Sequence, residues 1–214
     1  ATKLIKFIIM ALQCGIVGLP NVGKSTLFNC LSNAKAQAAN FPFCTIEPNV
    51  GVITVPDERL NELAKLINPQ RIVPTTVEIV DIAGLVKGAS KGEGLGNKFL
   101  ANIRETDAIL HVLRCFDNEN VTHVDGSVDP IRDIEVINIE LIMSDLEIID
   151  NRINKIGKKA MTTKDKKDLK EIELMNKLKT SLESGIPVRK IGLDDVELEI
   201  VSSFNLITLK PVIY

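Results

Sequence analysis

The sequence lacks the residues that mark several specialised classes of protein. Its 214 residues include no tryptophan and a single tyrosine, and aromatic residues make up only 4%. The four cysteines are widely separated and form no Cys-x-x-Cys pair, which argues against a zinc site. We expect Cys14, Cys30, Cys44 and Cys115 to be reduced, mostly buried thiols of a cytoplasmic protein.

Long apolar runs and a strong net charge are also missing. No stretch approaches the ~20 apolar residues of a membrane-spanning helix, so no membrane partner is expected. Phe7–Ile9 is apolar, but no small-residue cleavage site follows it, which argues against a signal peptide. The 26 basic and 28 acidic residues give a net charge of −2. This balance argues against a surface that binds nucleic acid everywhere, and no DNA partner is expected, although a local basic patch is compatible with it.

Short apolar runs alternate with helical patterns over the first half of the chain. Strands are predicted at Leu12–Val17, Val50–Val55, Thr76–Ile82 and Ala108–Leu113. Helices are predicted at Lys24–Asn33, Asp57–Ile67 and Asn97–Thr106, and loops at Ala34–Asn49 and Gly84–Gly96. This alternation predicts the α/β class, with a mostly parallel sheet and flanking helices.

A different periodicity follows, which is typical of a helical hairpin. Apolar residues recur at spacings of three and four from Ile139 to Ile156, and a second series runs from Leu169 to Leu182. We therefore predict an α/β domain over residues 10–132, an inserted antiparallel helical hairpin over residues 133–190, and a return to the domain over residues 191–214. Leu206–Tyr214 is predicted to be a last strand. Because such a sheet would continue after it, we expect the chain to be a fragment.

The segment Gly18–Ser25, GLPNVGKS, fits the phosphate-binding P-loop pattern G-x-x-x-x-G-K-[ST] between a predicted strand and a predicted helix. Its glycines let backbone N–H groups turn towards the phosphates, and the helix N-terminus favours an anion. Lys24 is expected to reach the β- and γ-phosphates. Asn21 either shapes the turn or helps to bind K⁺. The predicted nucleotide-binding residues are Gly18, Asn21, Val22, Gly23, Lys24, Ser25 and Thr26.

Two further segments match the parts of a nucleotide-dependent switch. Asp81-Ile-Ala-Gly84 follows an apolar strand, where the Asp81 carboxylate suits Mg²⁺ and the Gly84 N–H suits the γ-phosphate. Thr45 lies in the loop between the two motifs, and it either closes onto Mg²⁺ or only caps a turn. The predicted metal ligands are Ser25, Thr45 and Asp81, and Gly84 is a predicted catalytic group. The three motifs indicate a Mg²⁺-dependent nucleoside-triphosphate hydrolase rather than a nucleotide kinase, since no acceptor-binding lid is apparent.

The group that positions the attacking water is not evident. Many switch GTPases place a glutamine directly after the D-x-x-G glycine, but here that residue is Leu85, which cannot hydrogen-bond. Of the two histidines, His111 lies within a predicted strand and is interpreted as a core residue with its hydrogen bonds satisfied. His123 lies in the polar loop that leaves the carboxyl edge of the sheet, where ligands bind. It is our candidate for the catalytic base, and the alternative is a solvent-facing loop residue.

Three longer stretches carry a family resemblance. GLPNVGKST, NFPFCTIEPN and VDIAGLVKGASKGEGLGNKFLANIRETDAI together resemble the YchF type of Obg-like P-loop ATPases, and the resemblance extends from about Leu12 to Tyr214. It implies a nucleotide-binding domain with an inserted helical coiled coil, followed in the family by a TGS domain. It also implies an ATPase that prefers ATP to GTP and associates with ribosomes, on the large subunit.

The residues themselves leave the choice of base open. The base-reading motif is expected after the last strand, beyond Tyr214. Asn176–Lys179 resembles the guanine-reading N-K-x-D, but it lacks the aspartate and lies in a hairpin arm, so we reject it. ATP therefore rests on the resemblance alone. The alternatives are a GTP-specific Obg-like GTPase and a nucleotide-gated binding module with negligible hydrolysis, which Leu85 favours.

The middle of the predicted hairpin is strongly basic. Arg152–Lys170 contains eight basic and two acidic residues, a net charge of +6. Charge concentrated at a hairpin tip predicts contact with phosphate-rich RNA, whereas the alternative is a tip whose lysines only keep it soluble. The association with ribosomes that the resemblance implies favours RNA contact.

Overall fold

One mixed sheet of five strands organises the structure, a computed structural model that describes residues 11–32, 49–82, 95–118, 120–124, 126–163 and 166–214. The strands are β1 (Leu12–Val17), β2 (Val50–Thr54), β3 (Thr76–Asp81), β4 (Ala108–His111) and β5 (Val212–Ile213). Their order is β2-β3-β1-β4-β5, and only β2 runs antiparallel to its neighbour. The predicted α/β fold with a mostly parallel sheet is therefore confirmed. Thr45, Gly84 and Leu85 lie outside the described residues.

The predicted helices are present with ends shifted by one or two residues. They are α1 (Lys24–Ser32), α2 (Glu58–Ile67), α3 (Leu95–Glu105), α4 (Pro130–Thr163), α5 (Lys166–Glu183) and α6 (Asp195–Ser202). Helix α6 was not predicted, although Asp194 and Glu197 form a complete capping box at its start. Within the described ranges, none of the helices combines the length and the apolar character needed to cross a membrane.

Consecutive residues of β1 face opposite layers, because side chains alternate along a strand. Val17 lies in a core with Ile103 of α3 and Ile137 of α4, on one face of the sheet. Ile16 packs on the other face, beside Phe28 of α1. The carboxyl end of β1 is therefore packed on both faces of the sheet, and the P-loop turn follows directly from this packed end.

The three described cysteines depart in part from the sequence expectation. Cys14 is buried in β1, where burial raises the pKa of its thiol. Cys30 and Cys115 are exposed, so the expectation of mostly buried thiols is wrong for these two.

Helices α4 and α5 form the predicted antiparallel pair, and their contact is built from Ile149, Met175, Leu178 and other apolar residues. The first arm begins at Pro130, three residues before the predicted start at 133. Its seam also begins later than predicted, because Ile139 is 57% exposed. The first turns of α4 pack Ile137 and Leu141 against the sheet core, which leaves Ile139 on the outer side. Leu169, at the start of the second series, is 51% exposed as well.

The end of the chain differs from the single strand predicted over Leu206–Tyr214. A 3-10 turn occupies Ile207–Leu209, and β5 contains only Val212 and Ile213. Ile207 is fully buried in the sheet core, and it reaches the core from the turn rather than from a strand. The predicted strand is thus reduced to two residues, which pair with β4.

A buried aspartate joins the hairpin to this turn. Asp145 of α4 is completely buried and accepts hydrogen bonds from the backbone N–H groups of Ile207 at 3.1 Å and Thr208 at 2.7 Å. Arg104, at the end of α3, forms an ion pair with Asp145 at 3.0 Å. Arg104 also donates to the Asn205 carbonyl. The α3 helix, the hairpin and the returning segment are thus held by one carboxylate.

Candidate functional site

The P-loop and Asp81 are brought together by neighbouring parallel strands. Ile16 of β1 pairs in register with Asp81, the last residue of β3. The P-loop follows β1 directly, so Ser25 and Asp81 lie at the same edge of the sheet. The Ser25 hydroxyl lies 3.3 Å from a carboxylate oxygen of Asp81. Two predicted metal ligands that are 56 positions apart in the chain are therefore neighbours in the fold.

The shape of the P-loop depends on particular backbone conformations. Gly23 has φ +102° and Asn21 has φ 63°, both in the left-handed region that disfavours most side chains. A Cβ at Gly18 would lie 2.4 Å from the carbonyl oxygen of Val112, so the loop passes too close to the chain after β4 for any side chain. These two glycines are required by geometry.

Lys24 is the cationic group of this loop. It is only 8% exposed, and its Nζ donates to the carbonyl oxygen of Leu19 at 2.7 Å. Burial lowers the pKa of Lys24, while the nearby Asp81 carboxylate acts in the opposite direction. The residue opens helix α1, so its ammonium lies beside a helix N-terminus. The positive charge of the ammonium and the helix N-terminus both favour binding of an anion in front of the loop.

A cavity of about 360 Å³ lies at the mouth of the P-loop. It is lined by Asn21, Gly23, Lys24, Ser25, Thr26, Phe116 and Val121. Five of the predicted nucleotide-binding residues therefore meet at one cavity. The other two, Gly18 and Val22, do not line it, and Val22 belongs to the sheet core.

Phe116 and Val121 were not found from the sequence. They lie in the loop after β4, which Arg114 folds by donating to the carbonyl oxygens of Phe116, Asn118 and Val121 at 2.8 to 3.1 Å. The Arg114 guanidinium also lies 5.1 Å from the centre of the Phe116 ring. Phe116 is half-exposed, and it gives the cavity a large apolar surface. An arginine and a phenylalanine two residues apart form no sequence motif, so the sequence does not show that Arg114 organises this loop.

The same loop carries His123 past the P-loop. Asn21 donates from its side-chain amide to the carbonyl oxygen of Thr122 at 3.2 Å, which ties the loop to the phosphate-binding turn. The His123 side chain is only 3% exposed, and its Nε2 lies 2.9 Å from an oxygen of Asp133. His123 is therefore not the solvent-facing residue of the alternative interpretation. The Asn21 contact accounts for a loop-shaping role of that residue.

His111, at the end of β4, is buried as expected but not satisfied as expected. Its Nε2 has no hydrogen-bond partner among the described residues. Burial lowers the pKa of His111 to about 4, and Arg189 contributes in the same direction, while Asp133 opposes them. The imidazole ring lies 5.5 Å from the ring of Tyr214. The interpretation as a core residue holds, and the expectation of full hydrogen bonding is wrong.

The pKa of His111 leads to a pH-dependent stability. Below pH 6.5 the unfolded chain binds a proton at this histidine, whereas the folded chain binds it only near pH 4. Protonation therefore favours unfolding, and we expect the free energy of unfolding to fall by about 3 kcal/mol between pH 7 and pH 4 from this group. Chemical denaturation of wild type and His111→Gln across this range tests it. Parallel curves for the two proteins would contradict the expectation.

The chain matches a protein family described as 50S ribosome-binding GTPase over residues 13–177. It is 57% identical over 205 residues to the ribosome-binding ATPase YchF of Haemophilus influenzae and 55% identical to that of Bacillus subtilis, covering 96% of this chain and 56% of each relative. The structure of the Schizosaccharomyces pombe YchF GTPase is similar, with a TM-score of 0.79 and 42% identity over 95% of this chain and 55% of that one. The chain thus spans about half the length of the curated relatives it matches.

Proposed function

Because the chain belongs to the family of 50S ribosome-binding GTPases and is similar to the YchF ATPases, we propose that it hydrolyses nucleoside triphosphates, chiefly ATP. The proposed place of this activity is the ribosome, in the cytoplasm. One observation carries the proposal. Lys24, Ser25 and Asp81 meet at the mouth of a P-loop in front of a helix N-terminus. This arrangement is the one that binds the phosphates and the metal ion of a nucleoside triphosphate.

The donor set at this point fits Mg²⁺. The ion prefers hard oxygen ligands, and the Ser25 hydroxyl and the Asp81 carboxylate supply two oxygens 3.3 Å apart. Ser25 and Asp81 would hold the ion, with Thr45 as the third predicted ligand. When bound, Mg²⁺ neutralises charge on the β- and γ-phosphates.

The remaining steps belong to the residues of the chain. Lys24 and the N–H groups at the start of α1 bind the phosphate oxygens, and the Gly84 N–H is the further predicted donor to the γ-phosphate. His123 takes a proton from the attacking water, whose oxygen bonds to the γ-phosphorus as the bond to the leaving diphosphate breaks. Leu85 does not take part in this transfer, because its side chain has no polar atom.

Removing the imidazole tests this role directly. We expect His123→Ala to lower the rate of single-turnover ATP hydrolysis by about 100-fold or more, because a general base contributes about 10²–10⁴-fold. The affinity for nucleotide should stay unchanged, since the phosphate contacts come from the P-loop. The measurement uses the full-length protein with and without ribosomes. Equal rates for wild type and variant would exclude His123 as the base.

Hydrolysis and binding measurements with both nucleotides separate the competing functions. A binding module with negligible hydrolysis would turn over neither ATP nor GTP, even with ribosomes present. A GTP-specific enzyme would bind GTP more tightly than ATP and hydrolyse it faster. Equilibrium binding of both nucleotides to the full-length protein decides the base, for which the ATP preference is supported by the relatives' printed names. Rates in K⁺ and in Na⁺ test whether Asn21 also supports a monovalent cation.

We extend the proposal to the hairpin, whose basic middle is proposed to contact RNA of the large ribosomal subunit. Arg152 is not part of this surface, because it forms an ion pair with Glu171 at 2.6 Å and lies over the Phe204 ring. Lys158 and Lys159, which follow Arg152 in the sequence of α4, are the candidates for this contact. A cation that neutralises one phosphate releases about one counterion, so lysine contacts make binding depend on salt.

Charge reversal tests this contact. We expect Lys158→Glu with Lys159→Glu to weaken ribosome binding at low salt and to reduce the slope of log K against log salt concentration by about 2. Lys65→Glu with Arg71→Glu is the matched control, because both residues are exposed and lie outside the hairpin. The same loss in both double variants would point to a general charge effect instead.

A further inference from the structure

A buried carboxylate holds the proposed catalytic base from the first turn of the hairpin. Asp133 of α4 is 1% exposed, and its Oδ2 lies 2.9 Å from Nε2 of His123. Its other oxygen accepts from Arg132 at 3.1 Å. His111 of β4 is the further titratable group that interacts electrostatically with this carboxylate. Asp133 thus lies between the sheet, the loop after β4 and the hairpin.

The chain between His123 and Asp133 is folded so that this contact is held on both sides. The N–H of Gly126 donates to the carbonyl oxygen of His123 at 3.1 Å. Arg132 donates to the hydroxyl of Ser127 at 2.9 Å and to its carbonyl oxygen at 2.6 Å. The loop therefore returns onto the helix turn that carries Asp133, and the carboxylate and the ring are set at a fixed distance.

The contact has a chemical consequence for the ring. An ionised carboxylate can only accept a hydrogen bond, so Nε2 of His123 must carry the hydrogen. The lone pair of the neutral imidazole then lies on Nδ1. A carboxylate at this distance also stabilises the imidazolium that forms when the ring takes a proton, without itself becoming protonated.

We propose that Asp133 is the positioning residue for His123 in hydrolysis. It selects the tautomer whose Nδ1 accepts the proton of the attacking water, and its charge stabilises the protonated ring. The inference rests on the proposed function, in which His123 is the base. It adds that the catalytic base is oriented by a residue of α4, the first arm of the hairpin. One contact therefore joins the start of the hairpin to the proposed chemistry.

The backbone of the loop has its own supports. Arg114 holds the carbonyl groups of residues 116, 118 and 121, and Asn21 holds the carbonyl of Thr122. None of these bonds involves the imidazole. The Asp133 contact differs because it acts on the reacting ring, so its loss should change the rate without moving the loop away from the P-loop.

Asp133→Asn in the full-length protein tests the proposal, because the amide keeps the size of the side chain and removes its charge. We expect the rate of single-turnover ATP hydrolysis to fall about 10- to 100-fold, which is less than the loss of about 10²–10⁴-fold for a missing general base, because the imidazole itself remains. The dissociation constant of ATP should stay unchanged. Asp129→Asn is the matched control, because Asp129 caps the same helix through its side chain and asparagine caps equally well. Its rate should equal that of wild type.

The ring nitrogens give a second readout that a structural role would not move. In ¹⁵N spectra of histidine-labelled protein at neutral pH, with His123→Ala for assignment, wild type should show hydrogen on Nε2, and Asp133→Asn should lose this preference. Hydrogen on Nδ1 in wild type would overturn the proposal. Because this result comes from wild type, it does not depend on whether Asp133→Asn folds.

The kinetic outcomes separate the two levels of inference. A slow His123→Ala with a normal Asp133→Asn overturns the role of Asp133 alone. A normal His123→Ala overturns the catalytic base and this proposal with it. An equal loss of rate in Asp133→Asn and Asp129→Asn, or a weaker affinity for ATP in Asp133→Asn, would assign Asp133 a structural role instead.

Discussion

Replacing Lys24 with alanine is expected to reduce ATP turnover by about 100- to 1,000-fold, the usual cost of removing one preorganised charge that stabilises a transition state. The ammonium is buried beside the start of α1 and next to Asp81. In this position it meets the phosphates with little competition from water, so its charge counts for more than it would at the surface. The rate is measured as single-turnover ATP hydrolysis, with the dissociation constant of ATP beside it.

The melting temperature of Lys24→Ala shows whether a loss of turnover comes from a lost phosphate contact or from a less stable fold. Burial lowers the pKa of Lys24, which means that the folded protein without an anion disfavours the charge. Lys24→Ala should therefore melt at the same temperature as wild type or slightly higher. Lys65→Ala, an exposed lysine of α2, is the matched control and should change neither rate nor melting temperature. Normal turnover in the Lys24 variant would contradict the phosphate-binding assignment.

Asp145→Ala is expected to lower the free energy of unfolding by about 3–5 kcal/mol, the cost of breaking a buried ion pair by removing one partner. The substitution leaves the Arg104 charge without its carboxylate and the N–H groups of Ile207 and Thr208 without their acceptor. The two N–H groups then lose their acceptor at buried positions, while the Arg104 side chain, which is 20% exposed, loses its carboxylate partner. Urea denaturation of wild type and variant measures the difference.

A more exposed ion pair between α4 and α5 supplies the control. Asp150 lies 2.6 Å from Lys179, but its side chain is 47% exposed. Asp150→Ala should cost only about 0–1 kcal/mol, because solvent screens such pairs. A similar loss of stability in both variants would show that Asp145 is not a special anchor. A small loss for Asp145→Ala would show that the returning segment is held mainly by Ile207.

The elements that the sequence predicted well are those with a strong local period. Strand β1 and helix α1 come from an apolar run, a glycine turn and a helical pattern, all within about twenty residues. The hairpin arms were predicted from their spacing, yet Ile139 and Leu169 were assigned to a seam that does not reach them. The periodicity shows which side of a helix is apolar, but the length of the contact depends on where the partner helix lies.

The candidate site divides in the same way. Lys24, Ser25 and Asp81 were predicted as site residues because each belongs to a short motif whose spacing is dictated by phosphate and metal chemistry. Phe116 and Asp133 belong to no motif. Each becomes part of the site only through the fold of the loop after β4, which Arg114 and α4 determine together.

The sequence by itself determined the P-loop, the order of the first strands and helices, and the presence of a hairpin, because these depend on contacts and torsion angles within a short window. The tertiary structure decided that Asp133 meets His123, that Arg104 meets Asp145 and that a 3-10 turn enters the core before β5. These contacts join residues ten to sixty-three positions apart. Their distances depend on how whole elements pack, and no local pattern of charge or hydrophobicity encodes them.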